Sequence, residues 1–279
     1  MDYCKLTPYR QKIYDRIREY EKKGFFDRDV EDDPPSPVLT PGKADYLDEK
    51  PFAKLKNRIA NKMAVAFFEK QIKRGSIVIS GVDGLDNYRK TEGGAIITCN
   101  HFSIYDNYIV YRAIRNELPK GKQLYKVIRE GNYTGFKGLF GFFFRHCNTL
   151  PLSSNTETMI KFLKSVKILL ARGEKILIYP EQSMWWNYEK PRPMKSGAFK
   201  IAAKNRVPVI PSFITMEETD KTDADGANVM SCKITFLPAI YPKEEFSEKD
   251  NVEYLKEENY NAWKKLYESV YKKSLVYGD

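Results

Sequence analysis

The sequence predicts an α/β fold: a single domain with a largely parallel central sheet flanked by helices, plus an N-terminal helical arm. Two observations carry this. Short apolar runs alternate with stretches of helical periodicity over most of the chain, the pattern of strands joined by crossover helices. At 279 residues, with 42% hydrophobic side chains, the chain also suffices for one large domain with a full core and an appended segment.

Taken in order, Tyr9 to Lys23 reads as a charged helix and Asp32-Asp33-Pro34-Pro35-Ser36-Pro37 as a linker. Residues 1–50 are therefore expected to form a helical arm and linker, and residues 51–279 the main domain. From Phe52 to Lys73, Leu55, Ile59, Met63, Ala66, Phe67 and Ile72 recur at helical spacing with Lys and Arg between them, an amphipathic helix with a basic wet face. Strands are expected at 77–79, 95–98, 124–128, 175–179, 207–210 and 232–237. Helices are expected at 105–115, 156–172 with a stop at Gly173, 195–204 and 251–273. The glycine-punctuated aromatic stretch from Phe136 to Phe144 reads either as a short helix dipping into a membrane interface or as a buried core helix.

The 47 Lys and Arg against 37 Asp and Glu give a formal charge of +10, which suits an anionic partner such as a phospholipid surface, a nucleotide or nucleic acid. No nucleic-acid-binding motif accompanies the charge, so nucleic acid is not expected as a partner. Cys4, Cys99, Cys147 and Cys232 have no paired spacing, which argues against a disulfide framework or a zinc site and for a reducing compartment. The N-terminus lacks the apolar core of a signal peptide. The longest notably apolar run, Gly138 to Phe144, is far short of the roughly 20 residues of a spanning helix, so no segment is expected to cross a bilayer.

The candidate chemistry lies in Thr98-Cys99-Asn100-His101-Phe102-Ser103-Ile104-Tyr105-Asp106, where a strand ends in a polar turn that opens a helix. Ligands of open α/β sheets bind outside such strand ends. Ser103 three residues before Asp106 fits a capping box, with Ser103 at the N-cap and Asp106 in the first turn, where the helix dipole favours an ionised carboxylate. That carboxylate is placed to accept from His101 Nδ1 and leave Nε2 free to take a proton, a general-base dyad. Spacing alone also permits Asp106 simply to cap the helix and His101 to fill a polar turn. His146 has no partner in spacing and is given no role.

Asn100-His101 with Asp106 resembles the N-H-x-x-x-x-D motif of the glycerolipid acyltransferase family, typified by 1-acylglycerol-3-phosphate acyltransferase. Three further blocks follow in family order: Gly135 to Leu152 resembles the second, Tyr179-Pro180-Glu181-Gln182-Ser183 the third (Phe-Pro-Glu-Gly-Thr), and Val207-Pro208-Val209-Ile210-Pro211 the fourth. The resemblance implies transfer of a fatty acyl group from acyl-CoA or acyl-carrier protein to the hydroxyl of a lysophospholipid, in phospholipid biosynthesis. It implies His101 as base and Asp106 as its orienting carboxylate. Asn100, Ser103, Glu181, Gln182, Ser183, Lys126 and Lys195 are the expected substrate-binding residues. No cofactor or metal is implied, and the expected partners are the lipid acceptor, the acyl thioester and, peripherally, the cytoplasmic face of a membrane. The backbone amides near the helix start or in the Glu181 turn are candidate donors to the tetrahedral oxyanion.

The sequence departs from the family where the acceptor phosphate is held. The family's second block carries an arginine and its third runs Glu-Gly-Thr-Arg, whereas Leu152, Gln182, Ser183 and Met184 stand at the corresponding positions here. Leu and Met cannot replace the bidentate fork that arginine offers phosphate. Either other cations near the blocks (Lys126, Arg129, Arg145, Arg192, Lys195) serve, or the acceptor lacks a terminal phosphate, as a lyso-aminolipid, a glycolipid or a headgroup-bearing lysophospholipid does. An inactive lipid-binding homologue is the remaining alternative. Trp185 and Trp186 either sit at headgroup level or pack internally.

Overall fold

Continuous apolar strands buried on both faces set the centre of the molecule. The computed structural model describes residues 6–278, so Cys4 lies outside the described residues. In chain order the elements begin with α1 (Pro8–Lys23), α2 (Ala53–Arg74), β1 (Val78–Asp83), α3 (Leu85–Arg89) and β2 (Ala95–Thr98). They continue with α4 (Asp106–Ile114), β3 (Leu124–Ile128), α5 (Glu130–Gly135), α6 (Gly138–His146) and β4 (Thr149–Pro151). The last are α7 (Thr156–Ala171), β5 (Lys175–Ile178), α8 (Gly197–Asn205), β6 (Val209–Thr222), β7 (Asn228–Phe236) and α9 (Glu248–Tyr271).

The seven strands form one sheet in the order β1-β7-β6-β2-β5-β3-β4. All neighbours run parallel except β6 and β7, which make an antiparallel hairpin. β2 and β5 are buried at every residue. Their side chains alternate between two cores: Ile96, Ile176 and Ile178 join α7, α8 and α9 on one face, while Ala95, Ile97 and Leu177 join α4 and the β6–β7 hairpin on the other.

Sequence periodicity finds the main strands and helices but misses β4, α3 and α5, and most of β6. β4 has only three residues. The distal half of β6 is polar and exposed and is held by pairing with β7, a non-local partner that no local pattern reveals.

Helix α2 forms as expected, and the first half of its apolar stripe faces outward, while Phe67 and Ile72 pack inward. Leu55, Ile59 and Met63 are exposed, and the buried contact is made by Ala53, Ala60 and Ala64. Small side chains let α2 approach α6, with Phe67 edge-on to Phe140 and Phe143. Glu69 ties α2 to α4 by accepting from Tyr108, Arg112 and Arg115.

The arm is packed on the rest of the chain. α1 is capped by Thr7, with Pro8 at its start and Gly24 in the left-handed conformation at its end. Its Ile13, Tyr14 and Ile17 close over Trp185, Val30 and Ala227, and buried Arg10 pairs with Asp223 and Asp225 in the β6–β7 turn. Farther along, Leu39, Ala44 and Tyr46 enter the main core.

Candidate active site

His101 follows β2 at the carboxyl end of the sheet. Beyond Thr98, Asn100 takes over from the strand: its side-chain oxygen accepts from Ile214 N at 2.8 Å and its amide donates to Ile214 O at 3.0 Å. Asn100 is thus a splice between the β2 exit and β6, buried at 2% exposure, and its amide is occupied internally rather than offered to substrate.

The carboxylate of Asp106 is fully buried and accepts four hydrogen bonds. One oxygen takes His101 Nδ1 at 2.7 Å together with the backbone amides of Phe102 and Ser103, and the other takes the Tyr179 hydroxyl at 2.7 Å. With every partner donating, the carboxylate acts only as an acceptor, so Nδ1 carries the hydrogen, and in the neutral imidazole Nε2 keeps its lone pair. Helix α4 begins at Asp106 rather than at Ser103. Only half of the expected capping box forms: the carboxylate reaches back to Ser103 N, but Ser103 Oγ accepts from Tyr105 N in a local turn. Ser103 is 7% exposed and shapes the loop from within.

Tyr179 is the site residue that sequence reasoning passed over. Its ring stacks on His101 with centroids 4.1 Å apart, and burial, then the Asp106 charge, push its hydroxyl pKa far up, keeping it a donor. The available signal was Tyr in the third block where the resembled family has Phe. Buried Cys99 is no competing nucleophile, since burial and Asp106 hold its thiol protonated.

Glu181 is also internal. It accepts from His101 N at 3.0 Å and from Arg192 N at 2.8 Å, and pairs with the Arg192 guanidinium at 3.0 Å, both side chains being almost wholly buried. Arg192 further donates to Ser183 Oγ, Ser183 O and Phe26 O. Burial draws the Arg192 pKa down while Glu181 opposes that shift. The polar atoms of Glu181 and Ser183, expected to meet substrate, are engaged in locking the His101 loop to the 181–192 loop. Trp185 is 0% exposed and stacks on Phe26, so the packing alternative holds for it, while Trp186 lies under the Arg10 guanidinium and donates to Glu31.

His101 opens onto a cavity of about 1670 Å³. Phe68, Tyr105, Phe140 and Phe143 line its apolar part. Lys126, Gln182 and Lys195 also line it, together with Leu152 and Met184 at the two positions of the missing arginines. Gln182 is exposed and sits at φ +66°, a left-handed conformation that explains why glycine occupies this place in the resembled motif. Lys126 has no hydrogen-bond or ion-pair partner among the described residues, and burial lowers its pKa. Lys195 pairs with Asp27 at 3.0 Å. No group of three or more potential metal ligands comes together among the described residues.

The imidazole of His101, held by Asp106, thus stands at the wall of a lipid-sized cavity. Residues 80–215, just under half of the chain, match the Acyltransferase family. Among solved structures, the 1-acyl-sn-glycerophosphate (LPA) acyltransferase PlsC from Thermotoga maritima shares the fold at a TM-score of 0.50 and 19% identity, over 77% of this chain and 87% of that one. None of the curated proteins matches the chain in sequence.

Proposed function

We propose that the chain transfers a fatty acyl group from a thioester, acyl-CoA or acyl-carrier protein, to the hydroxyl of a lysophospholipid of lysophosphatidate type at a membrane surface, in phospholipid biosynthesis. The observation that carries this reading is the His101 Nδ1 contact to the saturated, buried Asp106 beside the cavity. Nε2 takes the proton of the acceptor hydroxyl as its oxygen attacks the thioester carbonyl. The tetrahedral intermediate then collapses, the C–S bond breaks, and the imidazolium returns the proton to the departing thiolate.

The amides of His101, Phe102, Ser103, Tyr105, Gln182, Ser183 and Trp185 all have internal acceptors. Those of Ile104 and Met184, on residues that line the cavity, have none among the described residues and are candidate backbone donors to the oxyanion. The cavity exceeds the roughly 300–1,000 Å³ of ordinary small-molecule sites, which supports a long acyl chain.

Peripheral attachment to the cytoplasmic face of a membrane is supported by the outward apolar faces of α2 and α6. Phe52, Leu55, Ile59 and Met63 on one, with Phe136, Leu139 and Phe140 beside and on the other, are exposed, and Lys54, Lys56, Arg58 and Lys62 flank the α2 stripe. No described helix is long and apolar enough to cross a membrane.

A second reading, an acceptor without a terminal phosphate, is favoured by Leu152 and Met184 at the cavity. An acceptor panel with both donors tests the two. Thiol release that requires a lysolipid supports acyl transfer, and preference for lysophosphatidate over every zwitterionic or uncharged acceptor removes the second reading.

A further inference from the structure

Five cations stand near the acceptor blocks, and the fold has already engaged four of them. Arg192 is buried against Glu181. Arg145 donates to the Tyr133 and Phe136 carbonyls, bracing α5 against α6. The other two engaged cations meet the arm: Arg129 binds Asp29 and Asp33, and Lys195 binds Asp27. Of these five, only Lys126 faces the cavity without a partner among the described residues, and Lys164, Lys167, Lys200 and Lys204 also line it.

The arm segment that supplies these carboxylates runs across the site as a fixed strip. Trp185 Nε1 and Arg192 Nη1 donate to its carbonyls at Arg28 and Phe26. Val30 is fully buried. Downstream, Glu130 accepts from Leu39 N, and the Ser153 and Thr158 hydroxyls donate to Leu39 O. The strip is therefore pinned at both ends, and Asp29, Glu31 and Asp33 between the pins line the same cavity as His101 and Arg129. Two carboxylates against one guanidinium leave that wall negative, and Glu31 adds to it: it has no cationic partner among the described residues, accepting only from Tyr9 and Trp186.

We propose that residues 27–33 determine acceptor specificity: Asp29 and Asp33 neutralise Arg129 and turn an acidic wall to the site, so that it takes a lysolipid with a zwitterionic headgroup, its cation toward the arm, in preference to a phosphomonoester. This rests on the acyl-transfer reading above and, of its two acceptor readings, takes the second over the lysophosphatidate default. A terminal phosphate carries close to two negative charges, and like charge at short range disfavours it most where the wall is partly shielded from water. The wall works together with Leu152 and Met184, which withhold the arginines a phosphomonoester needs.

The test measures kcat/KM for lysophosphatidate and for lysophosphatidylethanolamine of the same acyl chain, in wild type and in the Asp29→Asn/Asp33→Asn double variant. Wild type is expected to prefer the zwitterion. The double variant, with Arg129 released, is expected to move the ratio toward lysophosphatidate by about tenfold, the effect of one added charge contact of about 1.4 kcal/mol. Asp33→Asn alone, altering the more exposed partner at 61% against 42%, is expected to move it about threefold and serves if the double variant melts early. A wild-type preference for lysophosphatidate, or an unmoved ratio in folded variants with activity intact, overturns this inference and leaves acyl transfer standing. Thioester turnover with no lysolipid at all overturns both.

Discussion

The two ends of the acceptor path are built differently. At the base end the buried polar side chains are matched: Asp106 holds four donors, Glu181 bridges two loops, and Asn100 replaces a stretch of strand. At the rim, Leu152 and Met184 replace charged residues, Gln182 holds a conformation suited to glycine, and the cations Arg129 and Lys195 are taken up by a segment from the far N-terminus. In the proposed function, proton transfer thus rests on groups the fold fixes, and acceptor choice on residues that can vary without unsettling it.

Changes at the base end should lower kcat for every acceptor alike, and changes at the rim should alter the ratio between acceptors. Asp106→Asn, which puts an amide where four donors converge, is expected to reduce kcat by about 10²–10⁴-fold with all acceptors, read by thiol release. Glu181→Gln leaves the Arg192 charge buried without its counter-ion and is expected to cost about 3–5 kcal/mol of stability, read by chemical denaturation, with activity falling along with it. If that variant were as stable as wild type, the locking role of Glu181 would be wrong.

Tyr179→Phe keeps the ring that stacks on His101 and removes one hydrogen bond to a charged group, a loss of about 1.5–3 kcal/mol at most. The expected result is a fall in kcat of about tenfold with KM unchanged. Lys126 supplies a pH signature. Burial lowers its pKa, so its charge, complete at lower pH, is lost as pH rises through a value below the ordinary lysine range. KM for an anionic acceptor should rise over that window, and Lys126→Met should abolish the dependence. Smallest of all, Gln182→Gly relieves a left-handed side-chain conformation and should stabilise the fold by up to about 1 kcal/mol.

His101 and Asp106 were legible in the sequence because their chemistry is local: five residues, a strand end and a helix start suffice to pair them. The parallel core was legible for a similar reason, since strands buried on both faces leave apolar runs. What stayed hidden depends on distant partners. Glu181 and Ser183 look like ligand-facing polar residues until Arg192 is brought against them, eleven and nine residues downstream. The stripe of α2 reads equally as facing a membrane or packing on the sheet, because periodicity reports a face but not what it faces. The arm, separated from Arg129 by 96 to 100 residues, reads as a linker because nothing in Asp29 or Asp33 themselves names their partner.

The most direct measurement is thiol release from acyl-CoA by purified wild type and His101→Ala, with and without a lysolipid acceptor, on protein shown to be equally folded by its melting transition. Wild type should release thiol only when the lysolipid is present, and His101→Ala should lose about 10²–10⁴-fold of that rate. A folded His101→Ala variant with wild-type turnover would contradict the assignment of His101 as the base.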